Sequence, residues 1–408
     1  MIGENNQSSS HGLPPPASSR STPPSEGRVI RVAFLQSRLA IGGAERLVQS
    51  LVRRMASASI AASVMTCYDP GPVGLELLQE GRRVTSGLAQ GRLDPWTGAR
   101  LHRACRDEQI DVVYVIDSPL PKFWAGVLRR LSPRPRLIIG YHSTGVREGL
   151  FQHAVSRALA VTAADRLVAL SQTHRAYLAR QLNVDPSRLT VIGSGVDVTR
   201  FHDREARAEA RRRAGLPADG PLVGIVAALR PEKNHELFLR AARAVIGRRP
   251  DTRFFIAGDG PERANVERLR RELGLEPHVL MLGSRPDVPD LMRAADVIAL
   301  SSHAVVETLP LTLLEAAACG TPSVATRVGS VADVIEEGGT GYLVAPGDVT
   351  GLSERLLRLV ADPVLRAAMG DAARRRAEAE FDEREMIRRY ERMFLEVGGL
   401  HSKTPARA

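Results

Sequence analysis

The amino-acid sequence predicts an α/β fold with two doubly wound domains in tandem. Short apolar runs rich in β-branched residues alternate with amphipathic segments, which is typical of parallel sheets covered by helices on both faces. This alternation breaks near residues 197–220 and then begins again. A chain of 408 residues also exceeds what one hydrophobic core usually supports, so two domains are favoured.

Each domain has its own series of predicted strands. The first series is Val29–Leu35, Ala62–Thr66, Val112–Ile116, Leu137–Gly140, Leu167–Leu170 and Leu189–Ile192. The second series is Leu222–Ala227, Phe254–Ala257, Val279–Leu282, Val297–Leu300 and Ser323–Ala325. Predicted helices include Ala44–Met55, Phe151–Ala163 and the whole stretch Pro363–Val397. Because ligands bind such folds at the carboxyl ends of the strands, the loops that follow the strands are expected to carry the functional residues.

Further segments flank the two domains. Residues 1–28 are rich in Ser and Pro and poor in large apolar residues, so they are predicted to form a disordered tail. The predicted domains span residues 29–197 and 198–382, and a C-terminal helix is predicted over residues 383–400. Residues 401–408 are predicted to be a second tail.

Charge distinguishes the first half of the chain from the second. The formal net charge is +10 and comes almost entirely from arginine. Residues 1–200 contain 25 Lys and Arg against 15 Asp and Glu, which accounts for the whole excess. A basic half suits an anionic partner such as a membrane surface, a phosphorylated lipid or nucleic acid, but it equally suits a solvated surface in an Arg-rich chain.

Composition argues against several classes of protein. Aromatic residues make up only 4% of the chain, which gives no sign of stacking platforms for single-stranded nucleic acid. No apolar stretch has the length of a signal-peptide core or a membrane span, so a cytoplasmic location is expected. The cysteines Cys67, Cys105 and Cys319 lack metal-ligand spacing and are expected to be reduced thiols. The sequence has neither a D-x-D motif nor a zinc-type cluster, so no metal and no cofactor is expected.

The strongest functional signal lies in residues 301–320. Glu307 falls in the loop after a predicted strand, and Glu315 lies eight residues later in a helix predicted to open near Leu311. A helix N-terminus is a natural phosphate site. The residues that precede this helix start are Thr308, Leu309 and Pro310. Glu315 is suited to accept hydrogen bonds from a ribose diol. The alternative is a capping Glu307 and a surface Glu315, although apolar neighbours surround Glu315.

These residues belong to a longer set of motifs in a fixed order. The set comprises Gly42–Glu45 (GGAE), Val191–Asp197 (VIGSGVD), Leu229–Asn234 (LRPEKN), Ala257–Pro261 (AGDGP), Ala294–Asp296 (AAD), the Glu307/Glu315 pair, Ala316–Thr326 (AAACGTPSVAT), Gly329–Val331 (GSV) and Gly339–Val344 (GTGYLV). With this set, residues 30–396 resemble the retaining glycosyltransferases of family 4, which have the GT-B fold. The resemblance implies two Rossmann-like domains facing across a cleft. The N-terminal domain would bind the acceptor, the C-terminal domain the nucleotide-sugar donor, and the last helix would pack back on the N-terminal domain.

The resemblance assigns a diphosphate site to the loop at residues 228–234. Lys233 matches the family lysine that meets the donor diphosphate, where a cation also stabilises the departing nucleotide diphosphate. The usual family arginine of this loop falls at Ala228 instead. Arg230 is therefore expected either to reach the phosphates from its shifted place or to leave this task to Lys233 alone.

The resemblance also assigns the two carboxylates and a pair of glycines. Glu307 matches the residue that holds donor-sugar hydroxyls, and Glu315 the residue that holds ribose. Thr308 stands where the family commonly has Gly, which leaves the donor sugar open. Gly258 and Gly260 follow a predicted strand, where they permit close backbone approach to a ligand or form an ordinary turn.

In the N-terminal half the matches are a glycine pair and a histidine. Gly42 and Gly43 follow the first strand, and the resemblance places their loop near the donor phosphates and the acceptor. The same pair also suits an ordinary strand-to-helix turn. His142 matches a histidine near the donor sugar, with hydrogen bonding to the sugar or handling of the acceptor proton as its possible roles. A purely structural histidine is the alternative.

Together these features predict a retaining, metal-independent glycosyltransferase that moves a hexose from a UDP- or GDP-sugar to an acceptor in cell-surface glycan, polysaccharide or glycolipid biosynthesis. Its expected partners are the nucleotide sugar, a sugar or lipid-linked acceptor and an anionic membrane surface at the inner face, without nucleic acid. The alternatives are a non-catalytic nucleotide-sugar-binding protein and another GT-B enzyme, such as a nucleotide-sugar epimerase or a disaccharide phosphorylase.

Overall fold

The computed structural model describes residues 28–40, 42–55, 59–91, 94–116, 118–142, 155, 157–201, 207–303 and 307–399. Both predicted tails lie outside these ranges, except for Arg28. The predicted helix Phe151–Ala163 lies partly outside them, and its described part contains a π-helical turn at Arg157–Val161.

The first half of the chain forms a seven-stranded parallel sheet. Its strands are β1 (Ile30–Gln36), β2 (Ile60–Thr66), β3 (Val84–Thr85), β4 (Val112–Ile116), β5 (Arg136–Gly140), β6 (Arg166–Ala169) and β7 (Leu189–Val191). The strand order is β3-β2-β1-β4-β5-β6-β7. Its helices are α1 (Gly43–Arg54), α2 (Gly71–Gln79), α3 (Thr97–Asp107), α4 (Pro119–Leu131) and α5 (Gln172–Leu182). The order reverses between β1 and β4, so a crevice opens there at the carboxyl ends of the strands.

The second half repeats this plan with a six-stranded parallel sheet. Its strands are β8 (Leu222–Val226), β9 (Arg253–Ala257), β10 (Val279–Gly283), β11 (Val297–Leu300), β12 (Ser323–Thr326) and β13 (Gly341–Val344). The order is β10-β9-β8-β11-β12-β13, with its reversal between β8 and β11. The helices of this half are α6 (Arg207–Ala214), α7 (His235–Arg248), α8 (Arg263–Glu272), α9 (Val288–Ala294), α10 (Leu311–Ala318), α11 (Val331–Val334), α12 (Val349–Ala361) and α13 (Pro363–Glu380).

The apolar runs explain why these strands lie in the middle of each domain. Every residue of β4 and of β11 is buried, because helices cover both faces of each sheet. Each fully buried aliphatic side chain contributes about 1.5–3 kcal/mol of transfer free energy. Two strands were not predicted from the sequence. Strand β3 has only two residues, both half-buried, and β13 begins with glycine, so each has only a short apolar run. The predicted fold class, two doubly wound Rossmann-like domains, is confirmed.

The C-terminal stretch predicted as helical throughout is two helices, α13 and α14 (Glu383–Gly398). Asp382 interrupts them and caps α14 by accepting a hydrogen bond from the Arg384 backbone N–H at 2.8 Å. At this break the chain pairs with Val196, whose N–H donates to the Phe381 carbonyl at 2.8 Å. Beyond it, α14 packs on β1 and β4 of the first sheet. Its buried residues there are Met386, Ile387, Tyr390, Met393 and Phe394. Within the described ranges, no helix has the length and apolar character needed to cross a membrane.

Candidate active site

Glu307 lies in the loop between β11 and α10, and its side chain is about 6% exposed. Its Oε1 lies 2.5 Å from the Lys233 ammonium nitrogen and accepts a second hydrogen bond from the Ser302 hydroxyl at 2.6 Å. A buried carboxylate needs such partners, because an unpaired charge away from water is costly. The two residues predicted for the donor sugar and the diphosphate therefore meet in one ion pair.

Strand order explains why this pair forms. Lys233 ends a short 3₁₀ turn, Pro231–Lys233, that follows β8, and β8 is the hydrogen-bonded neighbour of β11. The Ser301 hydroxyl donates to the Lys233 carbonyl at 3.0 Å, and the His303 N–H donates to the Glu232 carbonyl at 2.9 Å. The loops after the two strands are thus held together at the reversal point of the second sheet, where ligands bind such folds.

Gly329 fixes the Glu307 backbone from the other side. It has φ +51°, and a Cβ at this position would overlap the Glu307 carbonyl oxygen. The next residue, Ser330, donates its N–H to that same carbonyl at 3.1 Å. The turn after β12 can approach Glu307 this closely only with glycine at position 329.

Arg230 and Ala228 occupy the same loop as Lys233, and both are exposed. Arg230 stands just before the 3₁₀ turn, and among the described residues its guanidinium makes no hydrogen bond or ion pair. The structure therefore does not join Arg230 to the Lys233–Glu307 pair.

Helix α10 begins directly after the residues predicted to face a phosphate. Pro310 occupies the N-cap position, Leu309 is 5% exposed and Thr308 is 8% exposed. Glu315 lies just over one turn into the helix. Burial raises the pKa of the Glu315 carboxyl to about 7, and the positive charge of Arg200 opposes this rise. Glu315 therefore changes its charge near neutral pH.

Residues of the first half close over this helix start. The Thr308 hydroxyl donates to the His142 carbonyl at 3.0 Å. Gly43 opens α1, with Gly42 extended before it, and a Cβ at Gly43 would lie 3.3 Å from a methyl carbon of Leu311. The carboxyl ends of the two sheets therefore face each other, and the predicted residues from both halves line the boundary between them.

His142 follows β5 and is partly exposed. Burial, with a smaller contribution from His174, lowers the pKa of His142 to about 3. The ring is therefore neutral throughout the physiological range. Its Nε2 lies 3.5 Å from the Tyr114 hydroxyl.

Gly258 and Gly260 allow two loops to pack closely. The sequence left two roles open for them, close approach to a ligand or an ordinary turn. Their φ angles are +147° and +158°, and a Cβ on either would overlap a carbonyl oxygen of the loop after β8, at Ala227 and Leu229 respectively. These glycines therefore let the loops after β8 and β9 pack backbone to backbone, which supports the segment that carries Lys233. This packing supports the turn role, and the close approach of a ligand to these glycines stays a prediction.

Sequence reasoning missed several residues of this site. Ser302 holds Glu307, and the hydroxyls of Ser171 and Ser330 lie 2.7 Å apart across the boundary between the halves. Single serines after strands carry no distinctive spacing, so only the strand order could have indicated them. Among the residues that the structure describes, no group of three or more His, Cys, Asp or Glu side chains is placed to hold a metal ion.

Comparison with known proteins agrees with this geometry. The family described as glycosyl transferases group 1 matches residues 206–376, and glycosyltransferase family 4 matches residues 41–200. A GDP-mannose-dependent α-(1-6)-phosphatidylinositol monomannoside mannosyltransferase of Mycolicibacterium smegmatis is 30% identical, over 80% of this chain and 89% of that protein. A D-inositol 3-phosphate glycosyltransferase of Salinispora arenicola is 37% identical over 53% of this chain and 52% of that protein. The chain thus spans about half the length of the inositol-phosphate enzymes that it matches.

Solved structures share the fold. Anabaena HepE in complex with UDP-glucose superposes with a TM-score of 0.79 at 22% identity, over 90% of this chain and 100% of that chain. A glycosyltransferase from Rickettsia africae gives 0.79 at 17% identity, over 91% of this chain and 100% of that chain. With the two family matches and the mycobacterial relative, these similarities show that the chain belongs to the family 4 glycosyltransferases.

Proposed function

We propose that this protein is a retaining glycosyltransferase that moves a hexose from a nucleoside-diphosphate sugar to an acceptor in glycan, polysaccharide or glycolipid biosynthesis. The observation that carries the proposal is the ion pair between Lys233 and Glu307 at the reversal point of the second sheet. One cation and one carboxylate meet there beside the start of α10, and a diphosphate joined to a sugar needs both kinds of group.

Each group has a task in the proposed reaction. The ammonium of Lys233 and the N-terminus of α10 bind the diphosphate and stabilise its charge as the bond to the sugar breaks. Glu307 accepts hydrogen bonds from the sugar hydroxyls, and Glu315 accepts them from the ribose. Arg230 is exposed in the same loop and pairs with none of the residues that the structure describes, so it is available to move toward the phosphates when the donor binds.

Retention needs no nucleophile from the protein in this proposal. The acceptor hydroxyl attacks the anomeric carbon on the face that the diphosphate leaves, and its proton passes to an oxygen of the leaving phosphate. The protein then acts through orientation and charge stabilisation. We propose that Lys233 and the helix dipole replace a metal ion. The matched M. smegmatis enzyme is described as GDP-mannose-dependent, and HepE was solved with UDP-glucose, so UDP and GDP sugars are the donors to examine first.

We propose a lipid-linked acceptor at an anionic membrane surface, on the basis of the positive charge of residues 1–200. Ion pairs in the structure limit which arginines contribute net positive charge to this surface. Arg53 pairs with Glu80, Arg54 with Asp197 and Arg129 with Asp165. Arg46 pairs with Glu76 at 3.7 Å and Arg83 with Glu108 at 4.0 Å. Arg82 and Arg130 also belong to this basic half. A flotation assay should show preference for liposomes with anionic lipid that disappears at high salt; equal binding to neutral liposomes would contradict this part of the proposal.

A nucleotide-sugar panel with chelator present tests the central proposal. Release of nucleoside diphosphate from one donor, with sugar transferred to a lipid or sugar acceptor, is the expected result. Lys233→Ala should lower kcat about 10²- to 10³-fold at saturating donor, as expected for a lost charge-stabilising group. Arg248→Ala, on the exposed last turn of α7, is the control and should keep wild-type turnover. Normal turnover by Lys233→Ala would remove Lys233 from the proposed mechanism.

One observation favours a second candidate, a non-catalytic nucleotide-sugar-binding protein. Ala228 stands where the family places a cation, and the side chain of Arg230 does not reach the ion pair. Tight binding of one nucleoside diphosphate without transfer to any acceptor would support this candidate. Product analysis separates transfer from epimerisation and from phosphorolysis, the activities of the other enzymes considered on this fold.

A further inference from the structure

Three residues form a hydrogen-bonded chain from the last helix to the candidate active site. The Tyr390 hydroxyl of α14 lies 3.2 Å from the Tyr114 hydroxyl of β4. The Tyr114 hydroxyl in turn lies 3.5 Å from Nε2 of His142. Both tyrosines are 0% exposed, and their rings pack edge to face at 5.8 Å between centroids. Tyr390 and Tyr114 are 276 positions apart in the sequence. Their contact links the last helix to His142, whose carbonyl accepts a hydrogen bond from Thr308.

The chain occupies a space that the fold provides. Gly140 ends β5, and a Cβ there would overlap the Tyr114 hydroxyl and lie 3.3 Å from His142 Nε2. Any larger residue at this position would push the hydroxyl away from the histidine. Burial raises the pKa of Tyr114 well above its ordinary value and that of Tyr390 to about 12, so both hydroxyls keep their protons.

The direction of the hydrogen bonds follows from counting donors. Among the described residues, the Tyr390 hydroxyl has one partner, Tyr114, and a buried hydroxyl that donates to nothing is costly. Tyr390 therefore donates to the Tyr114 oxygen. Tyr114 then has its own proton to give, and His142 Nε2 is the acceptor within reach. A neutral imidazole carries one N–H, so the proton of His142 resides on Nδ1.

We propose that Tyr390 and Tyr114 are positioning residues that hold His142 as its Nδ1–H tautomer, so that the ring meets the donor sugar as a hydrogen-bond donor and not as a base. The Nδ1 atom has no hydrogen-bond partner in the part of the chain that the structure describes, and His142 as a whole residue is partly exposed. This proposal rests on the proposed function, because it places the donor sugar beside His142. The sequence leaves two functional roles open for His142, hydrogen bonding to the sugar and handling of the acceptor proton. The proposal selects the first.

The tautomer is measurable directly. In protein labelled with ¹⁵N in its histidine rings, long-range ¹⁵N–¹H correlation spectra distinguish a protonated from an unprotonated ring nitrogen. His142→Gln identifies the signals by their loss. The wild-type protein should show protonated Nδ1 and unprotonated Nε2. Tyr114→Phe keeps the buried ring, removes the hydroxyl that donates to Nε2 and should shift His142 to a mixture of tautomers. Tyr390→Phe leaves Tyr114 its own proton to donate, so the Nδ1–H tautomer should remain the major form.

Kinetics give the second readout. Tyr114→Phe should lower kcat/KM for the donor on the order of tenfold, the size expected for one misoriented hydrogen bond. Tyr342→Phe removes the hydroxyl of another buried tyrosine, in β13, and should leave both the spectrum and the kinetics unchanged. Thermal denaturation of each variant shows whether the fold is kept.

Two results would overturn the proposal. One is a protonated Nε2 in the wild-type protein. The other is a wild-type tautomer in Tyr114→Phe. If the wild-type protein transfers no sugar, the proposed function fails, while the spectra still decide whether the tyrosines set the tautomer.

Discussion

At the scale of single residues, Glu307 shows what motif spacing could supply and what it could not. The sequence predicted that Glu307 lies in a loop after a strand and that Lys233 lies in another, and both placements are confirmed. Their 2.5 Å contact was not predicted, because it depends on β8 and β11 being neighbours in the sheet. Strand order is a long-range property that local periodicity does not contain.

The tyrosine chain was missed for a related reason. Tyr114 lies inside an apolar strand and Tyr390 on the apolar face of a helix, so each alone resembles an ordinary core residue. The two hydroxyls meet each other only when the last helix returns to the first sheet.

Glu315 gives a prediction about pH. Its pKa is about 7 in the folded protein, above the value of 4.5 expected for an ordinary glutamate. The folded state therefore binds this proton more tightly, so the stabilisation is full below about pH 4.5 and is lost as the pH rises through 7. One pKa unit corresponds to about 1.4 kcal/mol, so the free energy of unfolding should fall by about 3 kcal/mol over this range.

Urea denaturation at a series of pH values measures this fall. Glu315→Gln should lose it, because glutamine does not titrate. Glu354→Gln, an exposed position on α12, should retain the wild-type dependence. If the free energy of unfolding depends on pH identically in wild type and Glu315→Gln, then Glu315 has the same pKa in the folded and the unfolded state.

At the scale of elements, the turn after β12 offers a matched pair of glycine variants. Gly329→Ala should destabilise the protein and displace Glu307, because the new Cβ overlaps the Glu307 carbonyl oxygen. Gly338 also has positive φ, +76°, but nothing lies within 4 Å of a Cβ there. Gly338→Ala therefore carries the backbone strain of about 1–2 kcal/mol without the overlap.

Two measurements compare these variants. Chemical denaturation should show a larger loss of stability for Gly329→Ala than for Gly338→Ala, and nucleotide release should fall only in Gly329→Ala. Equal losses of activity would mean that Gly329 contributes nothing beyond its backbone conformation.

The elements themselves were predictable to different degrees. The apolar runs located β4 and β11 at their observed bounds, because a strand buried on both faces has an unbroken apolar sequence. Periodicity alone does not indicate the break between α13 and α14, since apolar spacing continues across it, although a separate last helix was predicted over residues 383–400. The break arises because Phe381 and Glu383 bond to Val196 at the junction between the halves.

At the scale of the whole molecule, polar contacts tie the two halves together beside the site. Besides the Ser171–Ser330 pair, the Thr173 hydroxyl donates to Asp333 at 3.0 Å, and Thr308 donates to the His142 carbonyl. These contacts join the two carboxyl edges across the boundary where the donor is proposed to bind. Closure of this kind excludes water from a reaction that hydrolysis would otherwise waste.

Removing these contacts should favour a more open molecule. The double variant Ser171→Ala/Thr173→Ala loses the two hydrogen bonds across the boundary, together worth about 1–3 kcal/mol. It also loses the N-cap bond of α5, which the Ser171 hydroxyl accepts from the His174 N–H. Small-angle scattering should show a larger radius of gyration without donor, and the donor KM should rise several-fold. Ser353→Ala, whose hydroxyl bonds within its own helix, is the control. An unchanged radius with an unchanged KM would mean that these contacts do not set the closure.

Helix α14 also has a consequence for how the protein is made. It supplies Tyr390 and Phe394 to the core of the first domain, yet the ribosome synthesises it after the whole of the second. The nascent first domain therefore exposes the apolar surface of β1 and β4 while more than 180 further residues are translated. Chaperones that shield unfinished apolar faces are expected to bind it during that interval, which ends when α14 emerges and docks.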